Sequence, residues 1–211
     1  MMRSIHKIAA VASLIMTFGC VSRHFIKDHD PVADIWVSTE DEVKCDAFKT
    51  DYRFFRGNKG ELGLPTEAFM RLVAVKGDSI YMLNTRTSLV NFVEVNTERK
   101  ALSLVRLFSS AETHYLFDDA DFLELPKYSK GSSFWYDDDS VRRTRAAGVP
   151  LDTPTVMVTK TDGVYRVERY AMDWHRNVLR VVETVSSNGT YAIIGRQVMA
   201  TNIWAVMPMY E

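Results

Sequence analysis

The sequence predicts a mainly β fold, an antiparallel sandwich or barrel built from hairpins with one or two short helices. Three observations predict it. From Phe69 onward, apolar residues recur with a period closer to two than to 3.6, as side chains do along a pleated strand. Polar turns punctuate those runs at Lys76-Gly77-Asp78-Ser79, Asp162-Gly163 and Asn188-Gly189, and the Asp-Gly and Asn-Gly pairs supply the positive φ that tight hairpin turns demand. Several runs are apolar on both faces, Met70 and Leu72 against Val73 and Val75, which requires burial between two sheets or within a closed one.

Taken in order, the chain opens with Arg3 and Lys7, then an uncharged, mostly apolar stretch from Ile8 to Phe18, with no acidic residue before Asp28. That is the layout of a secretory signal over residues 1–19, and at about 11 residues the apolar stretch is far short of the roughly 20 that span a bilayer. Residues 20–33, with Arg23, Lys27, Asp28, Asp30 and Pro31, carry charge without periodicity and read as a tether. Residues 34–211 read as a single β-rich domain. A small helix is expected at its start, capped by Ser38, favoured by Glu40, Asp41 and Glu42, with Val43 and Ala47 on one face.

Hairpins follow. Val73 and Val75 turn through Lys76-Gly77-Asp78-Ser79 into Ile80–Leu83, and Val90–Val95 turns through Asn96–Lys100 into Ala101–Phe108. In the distal half, Thr155–Lys160 turns through Thr161-Asp162-Gly163 into Val164–Tyr170. Val178–Thr184 then turns near Ser187-Asn188-Gly189 into Thr190–Ile194, and a last strand covers Ile203–Met207. The likeness of Val73-Ala74-Val75 to Val156-Met157-Val158, each followed by a turn aspartate, raises a duplicated two-hairpin unit as an alternative to two unrelated hairpins. Between the halves, Ser109 with Glu112 has the form of a capping box. Asp138 and Asp139 ahead of Val141–Ala147, closed by Gly148 and Pro150, mark a short helix.

Thr17-Phe18-Gly19-Cys20, followed by Val21-Ser22, resembles the lipobox of bacterial lipoproteins. The resemblance implies that the Cys20 sulfur is linked to diacylglycerol and that cleavage after Gly19 makes Cys20 the new N-terminus. With Val21 rather than Asp after the cysteine, it also implies the inner leaflet of the outer membrane, in a bacterium with two membranes. An inner-membrane anchor stays open. Thr17 and Gly19 equally satisfy an ordinary signal peptidase, so a soluble secreted form with a Cys20–Cys45 disulfide stays open too. Cleavage removes Arg3 and Lys7 from the 26 basic residues, leaving 24 against 27 acidic ones. Acyl chains, rather than a basic patch, would hold such a chain on the membrane.

The near balance of 26 basic and 27 acidic residues gives no broad basic surface, so no nucleic-acid partner is expected. Asp118-Asp119-Ala120-Asp121 and Asp137-Asp138-Asp139 are the densest carboxylates. They lack the spacing, central Gly and terminal Glu of a calcium loop and read as solvated turns and a helix cap. His24 and His29 lie in the expected tether; His114 near Glu112 and Asp118, and His175 near Asp173, are the only candidate acid–base pairs. Gly57-Asn58-Lys59-Gly60 reads as a turn rather than a phosphate cradle. No catalytic residue, metal or cofactor is therefore assigned. Phe134, Trp135, Tyr136 and Trp174 are the candidate partner contacts, because flat amphipathic rings bind with little entropy loss. The expectation is a membrane-anchored, non-enzymatic lipoprotein that binds or helps assemble another envelope protein. A periplasmic carrier of a small apolar ligand and an envelope hydrolase using the Asp cluster or His114 are the alternatives.

Overall fold

Strand pairing organises most of the chain. The computed structural model describes residues 21–25, 34–59, 70–83, 85–110, 116–117, 121–125, 128, 137–152 and 156–204. The first sheet is an antiparallel meander of β1 (Val21–Phe25), β2 (Asp34–Glu42), β3 (Arg53–Lys59), β4 (Met70–Lys76) and β5 (Ser79–Leu83), each paired with the next. The expected hairpin closes it: Lys76 pairs with Ser79 across a turn in which Gly77 has φ +56°.

A one-turn 3-10 helix, Arg86–Leu89, and α1 (Glu98–Ser109) follow, then β6 (Phe122–Glu124) and α2 (Asp138–Ala146). The chain ends its regular structure in β7 (Met157–Thr161), β8 (Val164–Asp173), β9 (Val178–Ser186) and β10 (Tyr191–Ala200). These strands and β6 form the second antiparallel sheet, ordered β10-β9-β8-β6. β8 is long enough to pair with β9 along one edge and to divide the other between β7 at Val164–Glu168 and β6 at Ala171–Asp173. Both distal hairpins turn where expected. Asp162 and Gly163 have φ +50° and +78°, and Gly189 has φ +86°. Among the described residues neither sheet closes, so the two-sheet form of the predicted fold is the one adopted.

α1 joins the sheets. Ala101, Leu104, Val105 and Phe108 recur at helical spacing and are buried with Phe54, Leu72, Ala74 and Leu83 of the first sheet and Tyr165, Val167 and Val185 of the second. Each large apolar side chain on that stripe contributes about 1.5–3 kcal/mol by the area it removes from water. The opposite face of β4 is buried as well: Val73 packs with Phe55, and Val75, Ile80 and Met82 lie against them. A smaller cluster of Leu125, Val141, Val149, Leu151, Met172, Val178 and Ile203 holds α2 to the end of the second sheet.

Several expectations are corrected. The helix expected from Ser38 is instead the end of β2: Ile35, Trp36 and Val37 pair with Lys59, Asn58 and Gly57, Ser38 pairs with Val21, and after a register shift Glu42 pairs with Phe55. Gly57–Lys59 is accordingly strand, not turn. Val21–Phe25, expected as tether, pairs with Asp34–Ser38, while residues 26–33 lie outside the described part. Ala101–Phe108 is helix, not strand. Thr97 Oγ1 accepts a hydrogen bond from the Lys100 N–H, and the apolar spacing of three and four then gives the helix a core-facing stripe. The two-hairpin unit is therefore not repeated in the first half. Ser109 ends α1, its hydroxyl donating to the Val105 carbonyl, rather than starting a new helix; Glu112 lies outside the described residues. The expected strand at Ile203 is irregular chain. Arg143 donates to the carbonyls of Thr201 and Asn202 there, turning the backbone so that Ile203 enters the small core. Residues 205–207 lie outside the described part. The short helix after Asp137 forms as expected, with the Asp137 carboxylate capping the Ser140 N–H and Gly148 at φ +79° just beyond its end.

Candidate functional site

The candidate surface lies where α1 meets the first sheet. A groove of about 610 Å³ runs between the outer face of α1 and the segment leaving β2, with Arg56 of β3 and Glu124 of β6 on its rim. Its residues follow from the helix found above. The same 3.6-residue period that buries Leu104, Val105 and Phe108 turns Arg99, Ser103, Arg106 and Ser110 the other way. Val43, Leu102 and Leu107 give the groove an apolar floor.

Its polar groups are largely paired. Arg99 Nε is 2.5 Å from Asp46 Oδ2, holding the Asp46 carboxyl below the ordinary carboxylate range. Arg106 Nε is 3.2 Å from Glu124 Oε1, and Glu42 takes Arg53 at 3.3 Å. The Ser103 hydroxyl accepts from the Asp46 N–H at 3.0 Å and donates to Cys45 Sγ at 3.3 Å. Burial pushes the Cys45 thiol up from its ordinary value, with the Ser103 bond a smaller opposing effect, so at neutral pH it is a protonated thiol and a poor nucleophile. Cys45 is in no disulfide among the described residues, and Cys20, its alternative partner, lies outside them.

Behind α1, a polar circuit fixes the helix and β6 to the second sheet. Arg169 and Glu183 sit on the inward faces of β8 and β9, diagonal to one another because Arg169 pairs with Val181 and Val167 with Glu183. Arg169 Nε and Nη2 donate to the two Glu183 oxygens at 2.7 and 2.9 Å, with the side chains 2% and 0% exposed. The Tyr191 hydroxyl donates to Glu183 Oε1 at 2.5 Å; burial, and next the Glu183 charge, raise its pKa and keep it a phenol. Arg169 and Arg196 each place a guanidinium against the Phe122 ring, at 5.3 and 5.4 Å. Asp121 bonds Arg196 and lies 3.5 Å from Arg86, whose guanidinium covers the rings of Tyr191 at 4.7 Å and Phe108 at 5.5 Å. Phe108 belongs to α1, and Glu124, two residues beyond Phe122, stands on the groove rim. The circuit therefore helps set the position of one groove wall, α1, and of the rim at Glu124.

Of the candidate site residues singled out from sequence, none of the described ones lines the groove. Trp174 is 50% exposed in the β8–β9 turn, and Trp204, at 53%, stacks under Arg176 at 4.6 Å. Phe134, Trp135, Tyr136, Cys20, His29, His114, Asp118 and Asp119 lie outside the described residues. Asp121 belongs to the circuit, Asp137 caps α2, and Asp139 pairs with Arg142 and Arg143. Asp173 accepts from the Asn177 backbone and side-chain amides rather than from His175. Among the described residues no cluster has the ligands to hold a metal ion, and no helix is long and apolar enough to cross a membrane. Sequence reasoning missed the groove because it read α1 as a strand. It missed the circuit although one signal was there: Tyr165, Val167, Arg169, Ala171 and Val181, Glu183, Val185 alternate so that one cation and one anion fall on apolar faces. Comparison with protein-family models, curated proteins and solved structures gives no match to this chain.

Proposed function

We propose that the chain is a lipid-tethered module of a bacterial cell envelope that binds another envelope protein without chemistry of its own. The carrying observation is the groove along α1. Its walls carry guanidinium–carboxylate pairs, and the half-buried Cys45 thiol that Ser103 bonds is protonated, an arrangement suited to recognition in which no described residue is an activated nucleophile or a base aimed at one. A carrier of apolar ligands would want a closed sheet around an apolar interior. Here the described sheets are open and the cleft is charged.

The address comes from the N-terminal pattern. Arg3, Lys7, the apolar stretch and Gly19-Cys20 support secretion and lipidation, and Val21 supports the outer membrane, with the domain facing the periplasm. Acyl chains on Cys20 would hold it there, each buried methylene contributing about 0.8 kcal/mol. Cys20→Ser is expected to abolish fatty-acid labelling and release the protein from membranes, while the native chain crosslinks in intact cells to a specific envelope protein identified by mass spectrometry. Labelling that survives the substitution would overturn the lipid anchor.

A further inference from the structure

The charges in the α1 groove do not balance. Lys44, Arg56, Arg99 and Arg106 face Glu42, Asp46 and Glu124, and the three carboxylates are taken by Arg53, Arg99 and Arg106. Lys44 and Arg56 have no carboxylate partner among the described residues, on a chain that is acidic overall once the signal is removed. Below them the floor is apolar. From Arg99 to Ser110 the helical wall extends about 16 Å at roughly 1.5 Å per residue, which matches about five residues of extended chain at roughly 3.3 Å each. A lone carboxylate or phosphate would leave most of the 610 Å³ unfilled.

We propose that this groove docks an extended, acidic segment of the envelope partner, with carboxylates on Lys44 and Arg56 and alternate apolar side chains on Val43, Leu102 and Leu107. The proposal rests on the reading of the chain as a binding module and names the chemistry of what it binds. Side chains of an extended peptide alternate, so an acidic–apolar alternation presents one row to the cations and the other to the floor. Because Lys44 is exposed and Arg56 half-buried at the groove, both remain within reach of salt, so the contact is salt-sensitive and acts strongly on the association rate.

The test is fluorescence anisotropy of a labelled Glu-Leu-Glu-Leu-Glu peptide with the full-length chain in neutral detergent micelles. Saturable binding is expected that weakens with added salt and falls at least about tenfold in Lys44→Glu/Arg56→Glu, since two attractions become repulsions. The charge-matched control Lys160→Glu/Arg166→Glu, on the second sheet, should leave it unchanged. Should the first variant fail to fold by circular dichroism, Lys44→Gln/Arg56→Gln removes the charges more gently and is read the same way, with a smaller loss. Equal binding of Lys-Leu-Lys-Leu-Lys, undiminished affinity in both groove variants, or full competition by inorganic phosphate at peptide concentration would each overturn the assignment, the last in favour of a small anion. If the peptide fails while Cys20-dependent crosslinks to an envelope protein persist, the groove assignment falls and the binding-module reading stands. If crosslinks are absent while the peptide binds, the reverse holds.

Discussion

Replacing Glu183 by Gln removes one charge from the centre of the second sheet and almost no volume. Arg169 would be left 2% exposed, its two hydrogen bonds to carboxylate oxygens weakened to at most one good acceptor and its charge uncompensated. Breaking a buried pair from one side costs about 3–5 kcal/mol, because the survivor cannot be rehydrated where it sits. For a chain of this size, 1 kcal/mol moves the melting temperature by about 2–4 °C, so Glu183→Gln should lower it by about 6–20 °C. Tyr191→Phe removes only the donor to Glu183 Oε1 and should cost about 1.5–3 kcal/mol, the range for a hydrogen bond to a charged group. Removing all the polarity together, in Arg169→Met/Glu183→Leu/Tyr191→Phe, should recover most of the loss, since no buried group is then unpaired. Urea unfolding followed by tryptophan fluorescence measures all three. A single-variant cost below about 1 kcal/mol, or a triple variant as unstable as the sum of its parts, would show that the pair is hydrated or locally open and that it does not fix α1 and β6.

Gly189→Ala should destabilise by about 1–3 kcal/mol in the same assay. The residue has φ +86°, and an added Cβ would lie 2.0 Å from Val93 Cγ2, in the segment whose Val95 N–H bonds the Ser187 carbonyl; a neutral result would mean that this turn is not packed on the strap before α1. Asp137→Ala should cost about 0.5–2 kcal/mol at neutral pH by uncapping α2. Hydrogen bonds from Ser140 hold the folded Asp137 carboxyl below its ordinary 3.8, so the native chain's advantage is complete above the unfolded value and disappears as pH falls through the lower folded one. Paired unfolding curves at neutral and strongly acidic pH check the sign, and a gap that widens on acidification would contradict it.

Local rules made several elements legible. Gly77, Asp162-Gly163 and Asn188-Gly189 positioned three hairpin turns because only a few residue types adopt positive φ cheaply, whatever surrounds them. Asp138, Asp139 and Gly148 bounded α2 for a similarly local reason, the complementing of orphan backbone groups at its ends, although the cap itself is Asp137. The stretch from Asn96 to Phe108 was not legible as helix in a reading dominated by strands. Its Ala101, Leu104, Val105 and Phe108 also read as a continuous apolar run, and short apolar runs are ambiguous between the two periods. The error carried straight into the site, since the groove is the other side of that helix. At Ser38–Glu42, acidic residues resembled a helix start, but pairing across β3 outweighed a preference worth only tenths of a kcal/mol per residue.

What the sequence by itself determined, then, was the mainly β class, three of the hairpin turns, the α2 boundaries and the pattern of basic start, apolar stretch and Cys20 on which the proposed address depends. Each is written in a few consecutive residues. Only the tertiary structure decided that Arg169 and Glu183 meet on neighbouring strands, that two guanidiniums lie against the Phe122 ring, and that Lys44 and Arg56 share a groove with the far face of α1. Those contacts join residues far apart in the chain. Strand register and helix docking set them, and both follow from burying apolar area across the whole domain rather than from any local preference.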